Sequence, residues 1–597
     1  MVLTNLVFLA FLVLLLSLLG RPPVEVPEKA ALIVAPAGEL VDKKTVIDPV
    51  SRFFNNVAGI PMAEETLVQD IIDVIRAGAE DERIQLLVLD LDNLEYGSLN
   101  QLRDIGQSLD AFRESGKKII ALGDAFDQAN YYLASFADEI YLHPMGSVTL
   151  QGFGVYRLYL KELMDRLAVN FHVFRVGSYK SALEPFTRTD MSPEARSANR
   201  EWLDKVWNLF CADIAQNRGF SPDFIDTIIA ELPARMAQAQ GDSARMALES
   251  NLVDGIMTRG EAEEYLIGLT GRSEDGTTFR QVHFLDYLDT ITPSFTEAGN
   301  EQDQIAIIVA RGNIVYGEMV PGQISSEGLS DLLRQAREDE KIRAVVLRLD
   351  SGGGSAFASE VIRGELLLLR EEGKPVVISM GSLAASGGYW IASAADRILA
   401  SPFTLTGSIG IYGMIPTFEN TLAKAGISND GVGTTPLAGA GDPARPLPPQ
   451  LAETIQLGVE EGYRRFLSIV AEGRGMEVND VKKIAQGKVW DGARAVDIGL
   501  VDNLGDLEDG IVQAAELAGL DSYAPLYLQH TIPTVIDFFS LRDWWSENNR
   551  ARIFALFSGR SAGFLRSIND AAAHLVLRSD PGNLYAHSLL PPRTPAF

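Results

Sequence analysis

Short apolar runs alternate with amphipathic stretches along most of the chain, and the whole alternation occurs twice. Leu87–Asp92 reads Leu-Val-Leu-Asp-Leu-Asp, and Val345–Asp350, 258 residues later, reads Val-Val-Leu-Arg-Leu-Asp. Apolar residues at helical spacing precede each run, within 67–75 and 329–336. Such an alternation of helices and strands is typical of a parallel sheet with crossover helices. The pattern therefore predicts an α/β fold built from two tandem repeats.

A second duplicated segment differs between the repeats at chemically informative positions. Asp127–Asp138 and Ala385–Asp396 are also 258 residues apart, as Tyr131 and Tyr389 show, and they keep the same apolar and small positions. The second segment contains Ser-Gly-Gly where the first contains Gln-Ala-Asn. This difference predicts that only the second repeat has kept a nucleophile.

The extent of the duplication gives the domain boundaries. We place the first repeat at residues 30–290 and the second at residues 300–528, with the polar stretch 297–304 as the linker. Residues 529–597 have no counterpart and form a C-terminal extension. Its mixture of aromatic residues and arginines is compatible with a basic amphipathic helix on a membrane, a helix packed on the body, or a partly disordered tail.

The N-terminus begins with a long apolar run. Val2–Leu19 contains no charged residue, and the first charge in the chain is Arg21. At about 1.5 Å per residue such a run is long enough to span a bilayer as a helix. A cleaved signal peptide is the alternative, but no basic residue precedes the run and Gly20–Pro23 is a poor cleavage site. We therefore predict one transmembrane anchor over residues 1–20, whose orientation the flanking charges do not give.

The amino-acid composition argues against several classes of function. The net charge of −28 argues against a nucleic-acid partner, because binding to phosphates needs basic surfaces. Cys211 is the only cysteine among the 597 residues, so neither an intramolecular disulfide nor a cysteine metal site is possible. We expect no cofactor and no metal.

The second repeat carries the features of a serine hydrolase. The glycine-rich turn Asp350–Ser355 follows one apolar run, and Ser386 follows another, Val376–Met380. A serine between a strand and a helix exposes its Oγ, and backbone N–H groups nearby can form an oxyanion hole. A phosphate-binding P-loop is excluded because no Gly-Lys-Ser/Thr follows. A tight turn and a helix N-cap are the structural alternatives, but the first repeat has lost both features.

The base for such a serine is predicted to be a lysine. None of the six histidines lies between residues 284 and 529. Lys180 lies in a small and apolar segment of the first repeat, 177–186, and a desolvated lysine can act as a general base. A surface lysine is the alternative. Because the first repeat has the lysine without the serine and the second has the serine without the lysine, we predict a site where the repeats meet.

These segments resemble the signal peptide peptidase A family in its long tandem-repeat form, a family of membrane-anchored Ser-Lys proteases. The most specific matches are Tyr179–Phe186, Ala384–Tyr389 and Thr404–Gly410. The resemblance implies two repeats with a Clp protease/crotonase-like fold. One departure is Gly352, where the family usually has proline, which suggests a softer turn. The implied site consists of Ser386 as nucleophile, Lys180 as general base, the N–H groups of Gly354 and Gly387 as oxyanion hole, and Ser408 as the residue that orients the lysine.

The resemblance also implies a substrate, an assembly and a location. It implies an endopeptidase that degrades cleaved signal peptides and other hydrophobic peptides through an acyl-enzyme. It further implies a homotetramer in the bacterial inner membrane, anchored in the lipid bilayer by a single pass, with the catalytic part on the periplasmic side. The alternatives are a membrane-bound serine esterase, for which His530 is the first histidine after the serine, and a non-catalytic membrane scaffold. An acyl-CoA enzyme on the related fold would leave the anchor and the Ser-Lys pair unexplained.

Overall fold

The computed structural model describes residues 25–45, 64–291, 302–320, 322–530 and 585–587. The predicted anchor, residues 297–301 of the predicted linker and most of the C-terminal extension lie outside these residues. In the part of the chain that is described, no helix combines the length and the apolar character needed to cross a membrane.

The first repeat contains ten strands and ten helices in the described residues. Its strands are β1 (Ala30–Val34), β2 (Gly38–Val41), β3 (Glu65–Leu67), β4 (Ile84–Asp90), β5 (Leu94–Tyr96), β6 (Lys118–Gly123), β7 (Glu139–Leu142), β8 (Asn170–Val176), β9 (Gly255–Ile256) and β10 (Gln281–His283). Its helices are α1 (Val68–Glu80), α2 (Leu99–Glu114), α3 (Gln128–Ala134), α4 (Lys161–Leu167), α5 (Glu184–Thr187), α6 (Pro193–Arg218), α7 (Phe224–Gln238), α8 (Ser243–Glu249), α9 (Arg259–Thr270) and α10 (Phe284–Ile291).

The second repeat begins with the same succession of strands and helices, as far as residue 400, and then differs. Its strands are β11 (Gln304–Arg311), β12 (Ile314–Val315), β13 (Ile324–Ser325), β14 (Ile342–Ser351), β15 (Gly353–Ser355), β16 (Val376–Ala385), β17 (Arg397–Ala400), β18 (Leu405–Gly407), β19 (Ile411–Thr417), β20 (Val489–Asp491), β21 (Asn503–Leu504) and β22 (Ala524–Tyr527). Its helices are α11 (Ser326–Glu338), α12 (Ala356–Glu371), α13 (Gly387–Ala392), α14 (Glu419–Lys424), α15 (Pro449–Arg474), α16 (Val478–Ile484), α17 (Gly492–Asp497) and α18 (Leu507–Ala518). A last strand, β23 (Tyr585–His587), comes from the C-terminal extension.

The two repeats have equivalent sheets. The first forms a parallel sheet in the order β10-β1-β4-β6-β7-β9, and the second contains the parallel path β22-β11-β14-β16-β17-β21. The small path β3-β2-β5 of the first repeat corresponds to β13-β12-β15 of the second. The described structure therefore confirms the predicted α/β duplication.

Burial explains why the apolar runs become strands covered by helices. All ten residues of β16 are buried, as expected for a parallel strand with elements packed on both faces. Helix α1 buries Ile71, Val74 and Ile75 at helical spacing against the first sheet, and α11 buries Leu329, Leu332 and Leu333 in the same way. Each repeat thus has its own large hydrophobic core.

The repeats are joined by strand pairing and by buried polar contacts. Strand β8 of the first repeat pairs antiparallel with β19 of the second, from Val176 opposite Ile411 to Asn170 opposite Thr417. At the start of α2, the Asn100 side-chain amide donates to the carbonyl oxygen of Gly381 at 2.8 Å. These contacts fix the first repeat against β16, which leads to Ser386, and against β19, which follows Ser408.

A buried ionic cluster also joins the repeats. Arg348 in β14 is 2% exposed and lies 3.3 Å from an oxygen of Asp42 and 3.6 Å from an oxygen of Asp104, both in the first repeat. Burial raises the pKa of Asp104 to about 7. Substitution of one partner would leave a charge buried without its counterion, and is therefore expected to be strongly destabilising.

Candidate active site

Ser386 lies at the sharp turn between β16 and α13. Its backbone has φ 56° and ψ −113°, a conformation that costs a non-glycine residue about 1–3 kcal/mol. The backbone N–H of Ser386 donates to the carbonyl oxygen of Gly407 at 2.8 Å, which helps hold the turn. Ser386 occupies the N-cap position of α13, yet its side chain makes no capping hydrogen bond. The Oγ is therefore available for another contact.

That contact is with Lys180 of the first repeat. The Nζ of Lys180 lies 2.7 Å from the Oγ of Ser386, although the two residues are 206 positions apart. Lys180 is 2% exposed, and burial lowers its pKa to about 7. Within the described residues no carboxylate forms an ion pair with it, so desolvation acts unopposed. A lysine in this state is neutral in a large fraction of molecules at neutral pH and can accept a proton.

Ser408 is placed where it can orient that lysine. Lys180 Nζ donates to the carbonyl oxygen of Ser408 at 3.0 Å and to its Oγ at 3.1 Å. A neutral amine has two hydrogens and one lone pair, so two acceptors at Ser408 leave the lone pair for Ser386. Ser408 itself has a left-handed backbone, with φ 50°, next to Gly407 with φ 78°. This turn points both acceptors at the amine.

Two close backbone approaches hold the lysine segment in place. Tyr179 N–H donates to the carbonyl oxygen of Gln486 at 2.9 Å. A Cβ added at Gly177 would lie 2.8 Å from that same carbonyl, and one added at Gly487 would lie 2.8 Å from the backbone nitrogen of Lys180. Only glycine allows these approaches at either position. Gln486 and Gly487 were not among the predicted site residues, because their role depends on a contact between the repeats that no local pattern indicates.

The predicted oxyanion residues lie in tightly packed backbone. A Cβ at Gly354 would lie 2.0 Å from the carbonyl oxygen of Ile314, and one at Gly388 would lie 2.9 Å from the carbonyl oxygen of Ser351. Strand β15, which contains Gly354, is in contact with α13, whose first residue is Gly387. Gly354 therefore lets β15 approach β12, and Gly388 lets the start of α13 approach Ser351, next to the nucleophile candidate.

The equivalent position in the first repeat is filled by an amide. Gln128, which stands where the second repeat has Ser386, is 1% exposed. Its Oε1 accepts from the backbone N–H groups of Gln151 and Gly152 at 2.7 and 2.5 Å. These donors are thus satisfied internally, and the first repeat has no nucleophile there.

Among the described residues no histidine is hydrogen-bonded to Ser386. His172 pairs with Thr417 at 3.0 Å, and His530 Nε2 lies 2.9 Å from the carbonyl oxygen of Gly328. The site brings together Ser386 and Lys180, which the comparison of the two repeats predicted to meet, and Ser408, which the family resemblance implied. A lysine thus stands where many serine hydrolases place a histidine.

Comparison with known proteins gives close matches over nearly the whole chain. Residues 111–267 and 369–521 match peptidase family S49. The chain is 40% identical to Protease 4 of Salmonella typhi, over 94% of this chain and 90% of that protein. It is 38% identical to Protease 4 of Haemophilus influenzae, over 94% of this chain and 89% of that protein. Among solved structures, a ClpP1 mutant from Listeria monocytogenes matches 34% of this chain and 94% of its own, with 16% identity and a TM-score of 0.23.

Proposed function

The chain belongs to peptidase family S49 and is a serine protease, and from this premise we propose that it cleaves peptide bonds with a dyad of Ser386 and Lys180. The observation that carries the proposal is the 2.7 Å separation of Lys180 Nζ and Ser386 Oγ around a fully buried lysine. Replacement of Ser386 or Lys180, with cleavage of a hydrophobic peptide as the readout, tests it.

The first half of the reaction forms an acyl-enzyme. Neutral Lys180 takes the proton of Ser386, and the Oγ attacks the carbonyl carbon of the scissile peptide bond. The N–H groups of Gly354 and Gly387 stabilise the negative charge that develops on the carbonyl oxygen. The protonated Lys180 then gives its proton to the nitrogen of the leaving amine as the C–N bond breaks.

The second half returns the enzyme to its starting state. Neutral Lys180 takes a proton from water, and the resulting hydroxide equivalent attacks the acyl carbon on Ser386. Collapse of this intermediate breaks the ester, and Lys180 returns the proton to Oγ. Ser408 keeps the amine aimed at Ser386 through both halves, since its carbonyl oxygen and Oγ lie 3.0 and 3.1 Å from Nζ.

We propose cleaved signal peptides and other hydrophobic peptides as the substrates, and a Clp protease/crotonase-like fold for each repeat. The family membership supports the peptide substrate, since the relatives in Salmonella and Haemophilus are named as proteases. A serine esterase with a histidine base agrees less well with the site geometry, because the Oγ of Ser386 is hydrogen-bonded to Lys180.

We propose that residues 1–20 anchor the chain in the bacterial inner membrane, with the catalytic part in the periplasm. The support is the uncharged run Val2–Leu19. The double substitution Leu9→Arg and Leu12→Arg places two arginines in the centre of the run, and each should raise the free energy of membrane insertion by about 2.5–3.5 kcal/mol. The variant should therefore appear in the soluble fraction on carbonate extraction. Glu25→Arg, outside the run, is the control and should leave the chain in the membrane fraction. Extraction of the unaltered chain by carbonate would contradict the anchor.

We propose that the chain forms a homo-oligomer, and the duplication indicates which surface would form the interface between subunits. Strand β19 (residues 411–417) pairs with β8 (residues 170–176) inside the chain. With the spacing of 258 residues, their equivalents are residues 153–159 and 428–434, which belong to no strand in the described structure. Tyr156, Leu158 and Val432 in these segments are highly exposed. The same antiparallel pairing between neighbouring subunits would bury them, and such a head-to-tail contact gives a ring when the rotation between subunits closes. The proposal of four subunits in the oligomer rests on the family resemblance.

The double substitution Tyr156→Asp and Leu158→Asp tests this surface. Two charges on an edge that must pair should convert the oligomer to monomers, because charged residues disfavour strand pairing between chains. The measurement is the mass in solution by light scattering of the full chain in detergent. Leu285→Asp, at another exposed apolar position, is the control and should leave the mass unchanged. An unaltered mass in the double variant would place the interface elsewhere.

A further inference from the structure

The turn at residues 485–488, between α16 and β20, is hydrogen-bonded to both segments that hold the proposed base. One carbonyl oxygen of the turn accepts from the N–H of Tyr179 at 2.9 Å, and that of Lys488 accepts from the N–H of Ser408 at 2.7 Å. Tyr179 directly precedes Lys180, and Ser408 supplies the two acceptors of the lysine amine. The position of this turn therefore sets the position of the lysine relative to those acceptors.

The side chain of Lys488 ties the turn to the first repeat. Its Nζ lies 2.8 Å from an oxygen of Glu201 in α6. It also lies 4.0 Å from the centre of the Trp490 ring and 5.9 Å from that of Tyr179, and aromatic rings attract a cation placed over them. The lysine side chain is 20% exposed, so water screens this pair less than a pair at the open surface. Lys488 therefore holds the turn through both its carbonyl oxygen and its ammonium group.

A second ion pair of opposite polarity lies one helical turn away. Lys205, four residues after Glu201 in α6, is 3.1 Å from an oxygen of Asp491 at the end of β20. Residues four apart lie on one face of a helix, so α6 presents an anion and then a cation to a cation and then an anion. A shift of α6 by one helical turn would place like charges opposite each other. The two pairs thus favour one alignment of α6 with β20, and β20 pairs with β18, which ends directly before Ser408.

We infer that Glu201 and Lys488 are positioning residues of this peptidase: their ion pair fixes the turn at residues 485–488 against the first repeat and thereby keeps the Lys180 amine aimed at Ser386. Neither residue touches the reacting atoms, so their effect passes through the turn. This role deepens the proposed function and rests on it for the part that Lys180 plays. The contacts themselves hold whatever reaction Ser386 performs.

The turn also shields the amine from water. A Cβ added at Gly487 would lie 3.0 Å from the Cβ of Lys180, so the turn packs directly on the lysine. Burial lowers the pKa of Lys180 to about 7, and a looser turn would admit water and raise this pKa again. The charged groups around this segment in the described structure include the two ion pairs and Arg175, which donates to the Lys180 carbonyl oxygen at 3.5 Å. The pKa of Lys180 therefore reports whether the turn is in place.

Two neutralising substitutions test the ion pair. Lys488→Met and Glu201→Gln should each lower kcat/KM for a fluorogenic hydrophobic peptide by about fivefold at pH 7, through kcat rather than KM, because one such pair is lost. In both variants the inflection of kcat/KM near pH 7 should move to higher pH. A direct electrostatic effect would move it in opposite directions, since one variant leaves an isolated anion and the other an isolated cation. The double variant should be no slower than the slower single variant, because the two residues act as a unit.

Three variants serve as controls. Lys488→Arg keeps the charge and should behave closer to the parent than Lys488→Met does. Lys483→Met in α16 and Asp204→Asn in α6 each remove a charge from an exposed pair and should leave the rate and the inflection unchanged. An unmoved inflection in Lys488→Met and Glu201→Gln, or shifts in opposite directions, would overturn the positioning role.

Amide hydrogen exchange separates this role from the proposed function. The full chain in detergent is compared with Lys488→Met by mass spectrometry of its peptic peptides. The peptides that contain Tyr179 and Ser408 should exchange faster in the variant, because their N–H groups donate to the turn. Unchanged exchange in these peptides would overturn the positioning role even in an active enzyme. Faster exchange in a protein whose Lys180→Met variant keeps full activity would overturn the proposed dyad and uphold the link between the ion pair and the turn.

Discussion

Replacing Ser386 with alanine is expected to lower kcat for a hydrophobic peptide by about 10⁶-fold. The reason is that covalent catalysis needs the Oγ, and loss of a serine nucleophile has an effect of this order in other serine proteases. Ser386 is fully buried and alanine only removes one atom, so the fold should be retained. The measurement is steady-state cleavage of a fluorogenic peptide, with circular dichroism to show that the variant is folded.

His530→Ala is the matched control for that experiment. His530 is the first histidine after Ser386 in the sequence, and its ring contacts the carbonyl oxygen of Gly328. Its replacement should leave cleavage intact, and a serine-reactive fluorophosphonate should label this variant but not Ser386→Ala. Residual activity of Ser386→Ala within tenfold of the parent would show that another residue is the nucleophile.

Replacing Lys180 with methionine is expected to lower kcat/KM by about 10²–10⁴-fold, the usual contribution of a general base. Methionine keeps much of the length of the lysine and carries no charge into the buried position. Because burial lowers the pKa of Lys180 to about 7, the amine is protonated below that pH and cannot accept the serine proton. In the parent enzyme kcat/KM should therefore rise about tenfold per pH unit up to about pH 7 and then level off. The measurement is the pH profile of kcat/KM for both proteins, and the methionine variant should lack this inflection.

Two controls make the Lys180 result specific. Lys161→Met removes an exposed lysine that pairs with Asp165 at the protein surface, and it should leave the rate unchanged. Asp104 also has a pKa of about 7, so Asp104→Asn tests whether the inflection comes from the ionic cluster between the repeats. The inflection should persist in Asp104→Asn. Its disappearance there, or its persistence in Lys180→Met, would remove Lys180 from the role of base.

The sequence predicted those parts of the site that depend on local pattern and on duplication. The apolar runs at residues 87–92 and 345–350 became β4 and β14, because strands buried on both faces must be apolar along their length. The complementary loss of serine in one repeat and lysine in the other predicted that Ser386 and Lys180 meet, and they lie 2.7 Å apart. A duplicated chain supplies an internal comparison that a single copy does not.

The rest of the site depends on contacts between distant segments and could not be predicted from local pattern. The approach of Gly487 to the backbone of Lys180 joins segments more than 300 residues apart, and a lone glycine in a loop has no signature of such packing. The strand at residues 585–587 is too short to show a period of two, so its place between β15 and β19 follows only from three-dimensional pairing. The N–H groups of Gln151 and Gly152 that hold Gln128 were likewise invisible in the sequence.

The antiparallel pairing of β8 with β19 has an evolutionary consequence. Lys180 follows β8 by four residues and Ser408 precedes β19 by three, so the alignment of these strands sets the position of the lysine relative to Ser408, which orients it. A slip of two residues would move one strand about 7 Å along the other, more than twice the present distance of 2.7 Å from Nζ to Oγ. An insertion or deletion between β8 and Lys180, or between Ser408 and β19, should therefore disrupt the site from either half of the gene. The two halves, although they arose as copies, can no longer drift apart independently.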